Sequence, residues 1–329
     1  MVKYFDEEWP KEEEILRIGL EMSRKNKADR FPTAEERWPR AGEVIKQKMS
    51  RVFCIGNGES RKGFDLEKLR PHGKIYGCNA LYRDFMPDVL TSVDHGIMHE
   101  VYHAGVAQKI PVYFRDWTKV PAMSYETMLM SGVNEVDAKE HLDDILITNE
   151  RGDSKEYVMH GSNLSGIITM IKKNGEKAKK NVNNATIKVS WMKEPDYSHS
   201  IRDLEPIPGQ KTGDFGWSAG PSSGYVAMLR EKPEEMYLIG HDLHSHNNNI
   251  NNMYKSTKHY TAKENGPTPA VNWIRQWAEL FKWFPDTQFV KINISNDGRD
   301  KVNMPIDEWS EYKNISYADY STLDNLFKL

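Results

Sequence analysis

The chain has 329 residues, of which 38% are hydrophobic, 28% charged and 11% aromatic, with a formal charge of −3. That composition supports a packed core and excludes a disordered chain, and the length suits one large α/β domain with an insertion, or two domains. The slightly acidic balance argues against a strongly basic nucleic-acid binder, no apolar run of about 18 residues is present to span a membrane, and two cysteines (Cys54 and Cys78) make neither a disulfide framework nor a four-thiolate zinc site.

The N-terminal stretch MVKYFDEEWPKEEE is acidic and has no apolar segment, so no secretory leader is expected there. Together with the cysteine usage, this gives a reducing, cytoplasmic setting as the expectation. Residues 1–49 are dense in charge. Ile15, Leu16, Ile18, Leu20 and Met22 form a short amphipathic stripe, read as a surface helix packed on the main body.

From residue 50 the pattern changes. RVFCIGNG, GKIYGCNA, PDVLTSVDHG and IPVYFRD are short apolar runs, most of them stopping at a small polar turn. Apolar strands spaced by helix-length segments predict βαβ units and a mostly parallel, Rossmann-like sheet with helices on both faces. Right-handed crossovers then bring the strand ends to one edge. Residues 117–210 have fewer clear periods and are read as an inserted lid subdomain. Within it, Ser162 or Asn163 caps a short helix, and ATIKVSWM (185–192) alternates as a strand.

The sheet pattern returns over 211–295. WSAGPSSGYVAMLR opens a helix, and EEMYLIGHD is the strand that follows. The polar tract HSHNNNINNMYKSTKHY has the length of a functional loop. GPTPAVNWIRQWAELFKWF is the clearest helix, with Thr268 as its cap, Pro269 in its first turn and Trp273, Ile274, Trp277 and Phe281 on one core-facing stripe. TQFVKINIS is the last strand of the pattern, and 296–329 is read as a C-terminal extension. The main domain thus comprises 50–116 and 211–295.

Several residues in this frame can carry chemistry. Gly56-Asn57-Gly58-Glu59-Ser60 follows a strand directly. Glycines there admit a close backbone approach, and loop N–H groups can face an anion. The third glycine of the dinucleotide fingerprint is missing, as is the Lys-Ser/Thr ending of a P-loop. Asn79 ends the second strand and Asp94 the third, so with Asn57 they open onto the crevice where parallel sheets bind ligands. Ser218, Ala219 and Gly220 begin a helix with free N–H groups. His241, Asp242, His244 and His246 lie too close in sequence to close a tetrahedral zinc site alone, so no metal is expected, and an acid/base or phosphate-facing role fits these histidines better. Tyr254 with Lys258-His259-Tyr260 and Lys263 offers phenol and ammonium donors that would stabilise charge on a leaving phosphate.

Taken together, these residues resemble the bacterial family 42 sialyltransferases, which have a Rossmann-like variant of the GT-A glycosyltransferase fold. The Gly-Asn-Gly-Pro-Ser loop of that family reads GNGES here, and its Arg-Cys-Asn strand end reads GCN. Its Thr-Ser-Gly helix start reads WSAG, its Gly-Ile-Asp-Phe-Tyr strand end reads IGHDL, and its His-Tyr reads KHY. The match covers about 51–94 and 215–292. It implies a metal-independent, inverting glycosyltransferase with no cofactor beyond its nucleotide-sugar co-substrate, CMP-linked by preference. The partners it implies are that donor and a glycan or other hydroxyl acceptor, with no membrane span and with scope for a homo-oligomer. Carried over, Asn57, Gly58, Ser60 and Asn79 contact the donor nucleotide, Ser218, Ala219 and Gly220 hold the donor, and Tyr254 and Tyr260 sit near the leaving phosphate; Asp94 and Asp242, from the strand ends, join the donor set, and His259, His244 or His246 is left to take the acceptor's proton. Three positions depart from the family: Glu59 replaces its proline, His244 replaces the aromatic after Gly-x-Asp, and Lys263 replaces its general-base histidine. A lysine is a poor base unless burial lowers its pKa. Two further readings follow: a nucleotide-binding or structural protein of this fold that has lost catalysis, and a transferase acting on modified DNA bases through lysines of the basic tract 172–181.

Overall fold

Five residues, Arg51–Ile55, form the central strand β1, whose last four side chains are fully buried. A strand covered on both faces needs an apolar run rather than an alternation, and RVFCI supplies one. The computed structural model describes residues 50–115, 117–124, 145–147, 151–160, 187–204, 206–207, 210, 213–244, 251–295 and 303–328. The stripe at 15–22, the Ser162/Asn163 helix and the 172–181 lysines lie outside them.

Strands β2 (Lys74–Cys78), β3 (Val89–Ser92) and β4 (Val112–Phe114) follow β1, each parallel to the one before. A second, smaller sheet comes next in the chain: β5 (Lys119–Pro121), β6 (Ile145–Ile147), β7 (Glu156–His160) and β8 (Ile187–Trp191), in the order β5-β7-β8-β6. The main sheet resumes with β9 (Ser198–Ser200), β10 (Glu235–Ile239), β11 (Gln288–Asn293) and β12 (Ile315–Asp319). Its eight strands run β12-β11-β10-β1-β2-β3-β4-β9, all pairs parallel.

That order moves the expected boundaries. Ser198–Ser200, read as part of the insertion, takes up the open hydrogen bonds of β4, and β12, read as an extension, does the same for β11. An edge strand exposes a row of unpaired backbone groups, which favours such additions. The main domain therefore includes stretches at both ends of what the sequence pattern alone assigns to it.

Helix α1 (His95–His103) and helix α4 (Tyr320–Phe327) cover one face of the sheet, with Leu66 and Leu69 from a turn after β1. Helices α2 (Ala219–Glu231) and α3 (Val271–Trp283) cover the other. In α3, Ile274, Trp277, Leu280 and Phe281 are buried, as their 3–4 spacing predicts. The cap differs: Ala270 occupies the N-cap, no side chain caps the helix, and the first turn closes from Ile274 N–H to the Ala270 carbonyl. Thr268 and Pro269 therefore precede the helix. The small sheet leans on α1, where His99 meets Ser190 at 2.6 Å and the Lys193 amide donates to Tyr102 at 2.9 Å.

Chain order places the site. Strands β1 to β4 build the sheet in one direction, and β10 then returns to pair with the opposite side of β1. Helices on either side of that reversal leave opposite faces, which opens a crevice at the carboxyl ends of β1 and β10.

Candidate functional site

Two loops meet at that crevice, Gly56–Ser60 after β1 and Gly240–Asp242 after β10. The Gly56 amide donates to the Ile239 carbonyl at 2.7 Å and the Gly58 amide to the Gly240 carbonyl at 2.8 Å. Gly240 turns with φ of 70°, in the left-handed region that glycine occupies without penalty. A Cβ on Gly56 would lie 2.4 Å from the Gly240 oxygen, and one on Gly58 would lie 2.5 Å from the Asp242 carboxyl. Glycine is therefore required here by the close approach of two protein backbones.

Those contacts answer the expectation of an anion cradle. The Glu59 amide donates to Asn251 at 2.8 Å, and the Ser60 amide to Asp242 at 3.0 Å. The Ser60 hydroxyl also donates to Asp242. With Gly56 and Gly58, four loop amides are thus satisfied within the chain. Ser60 and Asp242, both expected to hold donor, hold each other across the crevice.

Asn57 stands apart. It is 9% exposed and its amide nitrogen donates to the Cys78 carbonyl at 3.1 Å, which ties the end of β1 to the end of β2. Its side-chain oxygen is buried and has no hydrogen-bond partner among the described residues. A buried acceptor without a donor costs about 1–3 kcal/mol. Next along the edge, Asn79 adopts φ of 49°, accepts from the Ser92 hydroxyl at 3.0 Å and donates toward Asp94 at 3.5 Å. Asn57, Asn79 and Asp94 therefore share the carboxyl edge, as expected.

The start of α2 faces the same edge. Gly220 approaches His241 so closely that an added Cβ would sit 2.9 Å from the ring. Ala219 is buried. Ser218 turns toward α3: its amide donates to Gln276 at 3.1 Å, and its hydroxyl accepts from Trp273 at 2.7 Å. His241 is buried at the junction of β10, α2 and α3. Burial, reinforced by the charge of Lys291, lowers its pKa to about 3, so it is neutral, and its Nε2 has no partner among the described residues.

Beyond His244, the polar tract after β10 is described again from residue 251. It is tied to the loop beneath it, since Met253 N–H donates to the Asn57 carbonyl at 2.9 Å and Lys255 pairs with Glu59 at 2.8 Å. Tyr254 is 7% exposed; its hydroxyl donates to Asp84 and accepts from Arg61 at 2.9 Å. Tyr260 packs beside it, ring centroids 5.6 Å apart, and its hydroxyl accepts from the Ala80 amide at 3.2 Å. Burial first, and for Tyr254 the Asp84 bond second, push both phenols far above their ordinary range, so both stay protonated. Tyr260 keeps an O–H to give. His259 meets Glu100 at 3.3 Å, and its Nδ1 lies against Gly96 at the start of α1. Arg83 binds Glu100 at 2.6 Å and Thr257 at 2.8 Å, locking the tract down. His244 offers its carbonyl to Asn251 at 3.0 Å, Lys263 is exposed with its amide on the Ser256 hydroxyl, and His246 lies outside the described residues.

Sequence reasoning missed Arg61, Asp84, Arg83, Glu100 and Lys291. Arg61 is 3% exposed and ties Gly56, Asp84 and Tyr254 together. Lys291 carried one readable sign, a charge inside the run QFVKIN on a strand that the pattern places in the sheet. Among the described residues, no group of three or more His, Cys, Asp and Glu is placed to hold a metal, and no helix is long and apolar enough to cross a membrane.

The fold is a doubly wound α/β sheet of Rossmann-like type, with its candidate site at the strand-order reversal. No protein-family model matches the sequence, and no curated protein matches it. Among solved structures the chain is similar to the monofunctional alpha-2,3-sialyltransferase Cst-I from Campylobacter jejuni. The identity is 12% and the TM-score 0.36, over 87% of this chain and 96% of that chain.

Proposed function

We propose that the protein is a metal-independent, inverting glycosyltransferase that takes a nucleotide-sugar, CMP-linked by preference, and moves the sugar to an acceptor hydroxyl. The observation that carries this reading is the Asn57 oxygen, a buried acceptor without a donor at the switch point, flanked by Asn79 and Asp94. A base amino group or a ribose hydroxyl supplies the donor it lacks. Because four of the Gly56–Ser60 amides are used internally, the phosphate goes to the start of α2, where the helix dipole is positive. In this scheme His259 is the general base. Glu100 orients its imidazole, as a carboxylate does in other base–orienter pairs, whereas Lys263 has no such support. Tyr260 donates to the leaving phosphate as charge develops, and Tyr254 braces it.

A second reading, nucleotide binding without catalysis, is favoured by one specific feature: the Tyr254 proton is already held by Asp84. Thermal melts with CMP, UMP, GMP and AMP test both. A ligand at a hundred times its Kd stabilises by about 2.7 kcal/mol, or roughly 5–10 °C for a domain of this size. One nucleotide giving that shift, with sugar released from its nucleotide-sugar, supports the transferase. The same shift without turnover supports the binding protein. No shift with any of the four rejects both.

A further inference from the structure

A guanidinium does not shed its charge, so an arginine is buried only where acceptors stand ready around its planar fork. Arg61, 3% exposed, ends the single turn Glu59–Arg61 that continues the loop after β1. Its stem lies against the end of β10, since a Cβ on Gly240 would sit 3.1 Å from the Arg61 Cδ. Its head reaches separate segments of the chain. Nε donates to the Gly56 carbonyl at 2.9 Å, Nη1 to Asp84 at 3.1 Å and Nη2 to the Tyr254 hydroxyl at 2.9 Å, and the guanidinium carbon lies 5.9 Å from the centre of the Tyr254 ring. Asp84, just past the turn Asn79–Arg83 that follows β2, supplies the countercharge.

These bonds bear on Asn57 from both sides. The peptide before its Cα carries the Gly56 carbonyl, which Arg61 holds. The peptide after it carries the Asn57 carbonyl, which accepts the Met253 amide at 2.9 Å, and the Gly58 amide, which donates to Gly240 at 2.8 Å. Met253 is the chain neighbour of Tyr254, so the phenol that Arg61 binds steadies this second plane as well. With both planes fixed, and the Asn57 nitrogen on the Cys78 carbonyl at 3.1 Å, the direction of the Asn57 oxygen is set. An apolar side chain would avoid the desolvation cost of a buried charge, but it could not join these segments.

We propose that Arg61 is a positioning residue for the nucleotide site, its fork fastening the Gly56 carbonyl and Tyr254 together so that Asn57 is held in its binding orientation before the ligand arrives. The inference rests on the nucleotide reading of that site and adds the residue that assembles it. An ammonium group in place of the guanidinium would keep the charge and the pairing with Asp84, but it lacks the rigid fork that serves all three partners at once.

The test is Arg61→Lys, made in the parent chain and in the Asn57→Ala variant, titrated with CMP by calorimetry and paired with amide exchange in the absence of ligand. In the parent background CMP affinity is expected to fall about tenfold, the scale of one lost buried hydrogen bond. In the Asn57→Ala background the same change is expected to cost under about twofold, because Arg61 acts through Asn57. A change that merely loosened the fold would cost the same factor in both. The Met253 and Gly58 amides are expected to exchange faster in Arg61→Lys while those of β11 keep their parent rates. Equal CMP affinity in Arg61→Lys and parent overturns the proposal, and so does an equal loss in the two backgrounds. If the parent does not bind CMP, or Asn57→Ala binds it as tightly as the parent, the nucleotide reading of Asn57 fails. Exchange then decides the positioning role separately: faster exchange at Met253 supports it, and unchanged exchange overturns it. Should Arg61→Lys not fold, Arg61→Gln, which keeps an amide donor without the charge, is judged by the same criteria.

Discussion

Asn57→Ala is expected to weaken CMP binding by roughly tenfold to a hundredfold, the range for deleting one buried hydrogen-bonding group from a ligand site. The side chain has two jobs that separate cleanly. Its nitrogen joins β1 to β2 through the Cys78 carbonyl, and its oxygen has no partner among the described residues. Loss of the first costs about 1 kcal/mol of stability, or roughly 2–4 °C in Tm. Loss of the second shows only when ligand is present. Calorimetry on a variant confirmed as folded by its melt reads the two apart. Unchanged CMP affinity in that folded variant would remove Asn57 from the site.

Gly56→Ala is expected to cost about 3 kcal/mol, the upper range for overpacking a tight contact, and so roughly 6–12 °C in Tm. The new methyl would meet the Gly240 oxygen at 2.4 Å and the Gly240 carbon at 2.9 Å. Neither neighbour can give, because Gly240 is held by the Gly58 amide and by its own left-handed turn. A flexible side chain would swing aside at little cost, whereas two zipped backbones must separate. Gly266→Ala is the control, since nothing lies within 4 Å of its added methyl. A Tm loss under 2 °C for Gly56→Ala, measured by calorimetric melting beside that control, would show that the loops are not locked at this point.

Six strands of the main sheet, β1 to β4, β10 and β11, were legible because each is a short apolar run, the pattern that a parallel sheet covered on both faces demands; β9 and β12, SHS and ISYAD, lack it and were not. The shared edge of Asn57, Asn79 and Asp94 followed from it. The partners of those residues were not legible. A Gly-Asn-Gly loop signals that something approaches closely, but the sequence does not say whether that is a phosphate or the protein's own Gly240. Arg61 follows the loop directly, yet its meaning depends on Tyr254, 193 positions away. The polar tract reads as a functional loop, and the sequence does not show that its described part is fastened by Arg83, Glu59 and the Asn57 carbonyl. Pairings of this kind depend on strand order, and no local period encodes the return of β10 to the free side of β1.

A crystal structure of the protein grown with millimolar CMP bears most directly on the cradle at the strand-order reversal. The expected result is nucleotide density over the carboxyl ends of β1 and β10, with a donor from the base or ribose within 3.2 Å of the Asn57 oxygen and the phosphate at the start of α2. Density against the small sheet, or a crevice that stays closed and empty at saturating CMP, would contradict it.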